Sequence, residues 1–265
     1  MSEPGGLDPA EALDVVARRA RFIDCLRDGP KYNRDIRDAL DVSRSTAYKA
    51  VRELESLDMA SRCDQGYELT NLGRLLHAEY ERALDRIGEV CRPGHLLSVL
   101  PADTDVPFAV LDGASVFFAE RHAPNRPVRE IESLVEAATV LRGTGPVVLP
   151  RYVELFHEQI LADELDAELV FERQAVEYLV SDYTEDYGEA VERENLAVSV
   201  TDEELPYALL LVEEPTPEVG IIVYDRQGEL RGFIRNDATA AYEWGRERWR
   251  DAHSDATPVT SETFE

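Results

Sequence analysis

Apolar side chains recur at helical spacing almost from the start of the chain. Val15, Val16, Phe22, Ile23 and Leu26 share one face, so the segment predicts an amphipathic helix. Asp8-Pro9-Ala10-Glu11 opens it with a cap, a proline at the first helical position and a capping-box acid, and Gly29-Pro30 stops it. A second helix is predicted from Asn33 to Leu40, with Ile36, Ala39 and Leu40 on one side. Asp41-Val42 turns the chain. Ser43 then caps a third helix to about Leu57, with Ala47, Val51, Leu54 and Leu57 facing inward. Beyond it the period changes to that of strands. Met59–Cys63 and Tyr67–Leu69 read as a hairpin about Asp64-Gln65-Gly66. Thr70 caps a fourth helix, and Leu72, Leu76, Tyr80, Ala83, Ile87 and Val90 form a heptad-like stripe along it. Arg92-Pro93-Gly94 breaks that helix.

Strand-like and helix-like runs alternate through the rest. Phe108–Leu111 and Ser115–Ala119 read as strands about Asp112-Gly113, and Pro127–Ala138 as a helix. Val147–Leu149 reads as a strand, and Pro150 opens a helix carrying Tyr152, Leu155, Phe156, Ile160 and Leu161. Glu168–Phe171 is a predicted strand and Gln174 to about Arg193 a helix. Four strands follow at Ala197–Val200, Ala208–Val212, Gly220–Tyr224 and Leu230–Arg235, with Asp225-Arg226-Gln227-Gly228 as the turn between the last two. Ala238–His253 closes as a helix, and Thr257–Glu265 reads as disordered. Helix, helix, turn, helix, hairpin is the order of a winged helix-turn-helix. Alternation after it means an α/β domain. The predicted fold class is therefore α/β overall, an N-terminal winged helix-turn-helix followed by a larger α/β domain. The boundaries are 8–70 for the winged domain, 71–92 for a connecting and dimerising helix, 95–253 for the α/β domain and 254–265 for a disordered tail.

Charge sharpens this division. The 265 residues carry 28 basic and 54 acidic side chains, a net −26. Only Lys31 and Lys49 are lysines. Residues 1–90 have 14 basic and 18 acidic side chains, whereas residues 91–265 have 14 and 36. An acid excess with almost no lysine resembles the proteins of salt-in halophiles, whose carboxylates keep them hydrated when salt screens other charge. A hydrophobic content of 44% excludes wholesale disorder. No apolar run approaches membrane-spanning length, and Met1–Gly6 lacks the basic-then-apolar pattern of a secretory signal. A cytoplasmic protein is expected. Cys25, Cys63 and Cys91 form no CxxC pair and no finger spacing with histidine, so neither a zinc site nor a disulfide framework is expected.

The third helix carries the candidate chemistry. Ser45 and Lys49 stand four apart, as do Arg44, Tyr48 and Arg52, so all five share the outward surface. They lie near the helix start, the end that enters a major groove in winged folds. Arg44 and Lys49 suit guanine edges or phosphates. Ser45 and Thr46 suit phosphates, helped by free backbone N–H groups and the positive end of the helix dipole. Arg62 and Gln65 on the hairpin would touch the adjacent backbone. The competing reading is a solvated helix with salt pairs such as Arg52–Glu55. A net −26 also repels DNA at low salt, so binding is expected to lean on short-range contacts and on dimerisation in concentrated salt.

Three stretches of the second domain carry a resemblance. Arg142-Gly143 followed by Pro146-Val147-Val148-Leu149-Pro150-Arg151-Tyr152-Val153-Glu154-Leu155-Phe156-His157 is one, and Glu204-Leu205-Pro206-Tyr207-Ala208-Leu209 is another. The third is Tyr224-Asp225-Arg226-Gln227-Gly228-Glu229-Leu230-Arg231-Gly232-Phe233-Ile234-Arg235-Asn236-Asp237. Together they resemble the sensor domain of the archaeal filamentation and methanogenesis regulator family over nearly all of residues 95–253. More loosely, they are similar to the phospholipase-D-like sensor of TrmB regulators. The resemblance implies a homodimeric transcription regulator of promoter DNA with a sensor domain for a small molecule or partner.

Enzyme chemistry is not expected. The histidines are 77, 95, 122, 157 and 253, and none has the lysine two residues on that a phospholipase-D site needs. Neither GxGxxG nor a Walker loop occurs, and Gly143-Thr144-Gly145 is too short to cradle a phosphate and reads as a turn. No cofactor is implied, and His157 between Glu154 and Glu158 is a poor metal site. Arg142, Arg151, Tyr152, His157 and Tyr207 lie in the distinctive motifs and are the candidate lining of a ligand pocket. The same residues packing within the fold is the competing reading. Two rival functions remain: a winged helix used for protein contact without sequence-specific DNA binding, and an enzyme fused to a winged helix.

Overall fold

The computed structural model describes residues 7–182, 190 and 193–259. The chain divides into two compact units, Met1–Gly88 and Glu89–Glu265.

The first unit begins with α1 (Pro9–Arg27), α2 (Asn33–Leu40) and α3 (Arg44–Ser56), and β1 (Ala60–Cys63) pairs antiparallel with β2 (Gly66–Leu69). α4 (Asn71–Cys91) follows. α1, α3 and α4 are capped as the sequence predicts. Asp8 accepts from the Glu11 N–H, Ser43 from Thr46 and Thr70 from Gly73. α2 ends where Asp41 turns left-handed at φ 51°. Ile23, Leu26, Ile36, Val51, Leu54 and Met59 are wholly buried and hold the helices on the hairpin. Burying each contributes on the order of 1.5–3 kcal/mol. The linker after α1 joins the hairpin, because Lys31 and Tyr67 exchange both backbone hydrogen bonds at 2.9 Å. Gly66, at φ 114°, has its α-carbon against that linker, and a side chain there would lie 2.7 Å from the Tyr32 nitrogen.

The second unit is a three-layer α/β arrangement. α5 (Gly94–Leu97), α6 (Phe108–Leu111) and β3 (Ser115–Phe118) lead to α7 (Arg126–Ala137), β4 (Val140–Gly145), α8 (Pro150–Leu161), β5 (Asp166–Glu172) and α9 (Arg173–Asp182). β6 (Leu196–Thr201), β7 (Ala208–Glu214), β8 (Glu218–Tyr224) and β9 (Leu230–Asn236) precede α10 (Thr239–Ser254) and a short β10 (Thr257–Pro258). One eight-stranded sheet has the order β10-β6-β5-β4-β7-β8-β9-β3. β4, β5 and β6 run parallel, and β7, β8, β9 and β3 continue antiparallel. Alternate residues of the central strands feed opposite faces. Leu210, Ile222 and Phe233 pack towards α7 and α8, whereas Leu209, Leu211, Ile221 and Ile234 pack towards α6 and α10. Burial on both faces explains why β7 and β8 read as almost unbroken apolar runs. None of the described helices is long and apolar enough to cross a membrane.

Four expectations need correction. Phe108–Leu111 is the short helix α6, not a strand; four apolar residues after Pro107 fit either period. Val147–Leu149 is not a strand: Pro146 and Pro150 bracket it, and it runs as a connection into α8. Gly143-Thr144-Gly145 is not a turn: it ends β4, Val140–Gly145, the strand of that region, which its two glycines hid. The tail is not disordered from residue 254 onward, since Thr257 and Pro258 pair with Val200 and Ser199 of β6. Residues 260–265, and most of the predicted helix beyond Asp182, lie outside the described residues. The helix expected to break at Arg92-Pro93-Gly94 does end at Cys91.

Candidate functional site

α3 buries Ala47, Ala50, Val51 and Leu54 on one side. The opposite side must therefore face solvent, and Arg44, Ser45, Thr46, Tyr48, Lys49 and Arg52 are all exposed. Arg62 in β1 and Gln65 at the hairpin turn are exposed as well. The structure thus presents all eight predicted DNA contacts to solvent. Arg44, Lys49 and Arg62 make no ion pair or side-chain hydrogen bond among the described residues. Arg52 holds Glu55 at 2.6 Å, as the competing reading expects. An exposed pair of this kind contributes only about 0.2–1 kcal/mol, so a phosphate can displace it.

The first acid along α3 is drawn off this face. Glu53 meets Arg19 at 2.6 Å and Arg18 at 3.1 Å, both on α1. Desolvation pushes its carboxyl up, but the hydrogen bond and charge of Arg19 outweigh that, with help from Arg18, and hold it below the usual carboxylate range. The ionised acid therefore faces α1. At the start of the helix, the Ser43 hydroxyl lies 2.9 Å from that of Ser45 and 2.8 Å from that of Thr46. Replacing Ser43 with alanine removes the cap and is expected to cost about 1 kcal/mol of stability, read from urea unfolding.

One residue at the hairpin escaped the sequence reading. Tyr32 is 53% exposed, and its hydroxyl donates to the Asp64 carbonyl at 3.1 Å, just beside Gln65. Exposed Tyr48 and Tyr32 are the two largest aromatic surfaces of the unit. The available signal was Lys31-Tyr32, a lysine and an aromatic directly after the helix stop.

α4 extends beyond the core it helps to cover. Leu76 and Tyr80 pack on that core, but Leu84, Ile87 and Val90 are exposed, Ile87 by 56%. Leu72 is also exposed, at 39%, so of the predicted stripe Leu76 and Tyr80 pack inward while its two ends are uncovered.

The predicted ligand residues of the second unit separate. Tyr152 and His157 on α8 line a cavity of about 110 Å³ between α8 and the sheet, together with Phe156, Phe171, Leu210 and Tyr224. Burial pushes the Tyr152 and Tyr224 hydroxyls far up, so both remain neutral. Arg142 is elsewhere: it meets Glu168 at 2.5 Å, Asp166 at 3.5 Å and Glu213 at 3.7 Å, and its guanidinium lies 5.6 Å from the Trp249 ring. Arg151 is exposed at the start of α8. Tyr207 packs on Trp244 on the other face of the sheet, and burial pushes its hydroxyl up to about 12.

Asp24, His77 and Glu81 form the one grouping with metal-ligand geometry among the described residues. His77 is buried, with Asp24 at 3.4 Å from one ring nitrogen and Glu81 at 3.7 Å from the other. Asp24 on α1 and Glu81 on α4 flank the buried ring, with Glu81 beyond hydrogen-bond distance. The sequence separates Asp24 from His77 by half the unit, which hid the grouping.

Two family models match the chain. Residues 124–255 match the middle domain of methanogenesis regulatory protein FilR1, and residues 7–91 match the HVO_A0261 N-terminal domain. A comparison with curated proteins finds no match. Among solved structures, the archaeal chromatin protein TrmBL2, described as showing a novel mode of DNA binding, is 12% identical with a TM-score of 0.42. That alignment covers 95% of this chain and all of that one. Nuc, a phospholipase D family member from Salmonella typhimurium, is 14% identical with a TM-score of 0.42, over 56% of this chain and 98% of its own. NucT from Helicobacter pylori is 7% identical with a TM-score of 0.43, over 55% and 98%. Likeness of this degree assigns no function.

Proposed function

We propose that the chain is a transcription regulator that binds promoter DNA through α3 and the β1–β2 hairpin, and whose second unit senses a small molecule or partner. The observation that carries this reading is the solvent-facing row of Arg44, Tyr48, Lys49 and Arg52 on a Ser43-capped helix whose first acid, Glu53, is drawn towards α1 and whose second, Glu55, is neutralised by Arg52. The match of residues 124–255 to a regulatory protein's domain supports it independently. The two physical demands of DNA contact are donors aimed outward and local relief from negative charge. Both are met at α3 in a chain that is acidic almost everywhere else.

The test is mapping of bound sites in native salt with the unaltered chain and with Arg44 and Lys49 both replaced by alanine. Loss of discrete sites in the variant supports the reading. Retention of all sites favours the rival use of the winged unit for protein contact.

Dimerisation belongs to the same proposal. Leu84, Ile87 and Val90 are an uncovered apolar run on α4, and a second copy of that helix would bury it across a palindromic site. Each apolar side chain removed from water there contributes about 1–2 kcal/mol. Leu84→Glu with Ile87→Glu is expected to convert a dimer to a monomer in light scattering at molar KCl. DNA affinity should fall with it. A dimer unchanged by the double substitution would exclude α4 as the interface.

A further inference from the structure

The cavity under α8 has a chemistry that narrows what it can hold. Its walls come from α7, α8 and α9 and from β4, β5, β6, β7 and β8, and among the described residues they include no Asp, Glu, Lys or Arg. Four of them are aromatic: Tyr152, Phe156, Phe171 and Tyr224. At about 110 Å³ it approaches the size of an engineered apolar cavity, about 150 Å³, that takes up benzene. Gly145 helps to keep it open, because a side chain there would lie 3.0 Å from the Phe171 ring.

One polar atom inside is unspent. The Tyr152 hydroxyl is buried with no hydrogen-bond partner among the described residues. A buried hydroxyl without a partner is costly and uncommon, and a ligand oxygen would relieve it. A charged ligand would lose its hydration against walls that, among the described residues, hold His157 as their one ionisable nitrogen and are otherwise apolar or neutral. An aromatic ring, by contrast, can meet the four wall rings in edge-to-face or offset contacts.

We propose that this cavity is an effector site for a neutral monocyclic aromatic molecule with one hydrogen-bonding oxygen, of the phenol class. It rests on the reading of the second unit as a sensor and names what is sensed. The ring lies between α8 and the sheet, and its oxygen pairs with Tyr152. The volume excludes a nucleotide or a sugar phosphate.

The test uses the full chain in molar KCl and three probes of matched size: phenol, toluene and benzoate. Binding is followed by calorimetry and by ligand-observed NMR. Phenol is expected to bind most tightly, and benzoate at least tenfold more weakly. Tyr152→Phe is expected to weaken phenol roughly three- to tenfold while leaving toluene unchanged, the fold-change of one lost hydrogen bond. Val153→Trp, which fills the cavity from α8, is expected to abolish both, with melting followed in parallel to show that it folds. Equal binding of benzoate and phenol overturns the proposal, as does phenol binding that survives Val153→Trp or ignores Tyr152→Phe. DNA affinity with and without saturating phenol separates the two levels. DNA binding without phenol binding overturns the cavity proposal alone. Phenol binding that leaves DNA affinity unchanged overturns the sensor reading and leaves the site.

Discussion

Arg44→Ala with Lys49→Ala is expected to cut affinity for a promoter fragment by about 2–5 kcal/mol, roughly 30- to 5,000-fold. The size follows from what each side chain offers. An arginine at a helix start that pairs with guanine is worth about 1–3 kcal/mol of discrimination. A lysine on a phosphate contributes less per contact but acts on every sequence. Neither residue has a partner to lose in the folded chain, since both are exposed and make no ion pair among the described residues. Thermal unfolding should therefore stay within about 0.5 kcal/mol of the unaltered chain. Fluorescence anisotropy across a KCl series measures the effect. At low salt, the net −26 of the chain repels DNA and masks the contacts. The difference between variant and unaltered chain should be clearest near molar salt, where the screening length is about 3 Å and only touching groups interact. Equal affinity for both proteins across the whole series would remove α3 from the interface.

The surface used in that experiment was legible from the sequence because it is local. Ala47, Val51 and Leu54 set the phase of α3, so Arg44, Tyr48, Lys49 and Arg52 had to face out. A cap such as Ser43 is decided within four residues. The eight predicted contacts all reached the surface for this reason. The sheet unit was legible to the extent that its strands alternate or run apolar, as β7 and β8 do. It failed where composition and role diverge. β4 carries Gly143 and Gly145 because the Leu169 side chain and the Phe171 ring occupy the space a side chain would need. That requirement comes from residues more than twenty positions away. Val147–Leu149 is apolar because it borders the cavity, and a short apolar run looks like a strand whatever it covers.

The cavity was only partly legible for the same reason. Tyr152 and His157 lie one helical turn and a residue apart on α8, so a motif could suggest them together. Arg142 and Tyr207 stood in equally distinctive motifs, yet pairing with Glu168 and packing on Trp244 claim them. Their fate is settled by β5 and α10, which no local pattern reveals. The inward pull on Glu53 was likewise hidden, because Arg18 and Arg19 belong to another helix.

Gly73→Ala is expected to destabilise the first unit by about 2–4 kcal/mol, against the sign of helix propensity. In an open helix the same change stabilises by about 0.5–1 kcal/mol, because glycine loses more backbone freedom on folding than alanine. Gly73 is not in an open helix. A β-carbon there would lie 2.9 Å from the Met59 carbonyl carbon and closer still to its oxygen. All the atoms it meets are backbone, so no side chain can rotate away. Met59 is itself fully buried, its N–H is bonded to Leu54 at 2.8 Å, and its carbonyl accepts from Thr70 at 3.1 Å. Relief requires α4 to move off the start of the hairpin, which breaks packing that overfilled cores typically lose at about 1–3 kcal/mol, and more where backbone must shift. Gly88 on the same helix has nothing within 4 Å of its added carbon. Gly88→Ala is therefore the internal control and should gain up to about 1 kcal/mol. Urea unfolding of the full chain at fixed KCl gives both values. If the two substitutions shift stability in the same direction, then the close approach of α4 to Met59 is not what fixes the hairpin beside α3.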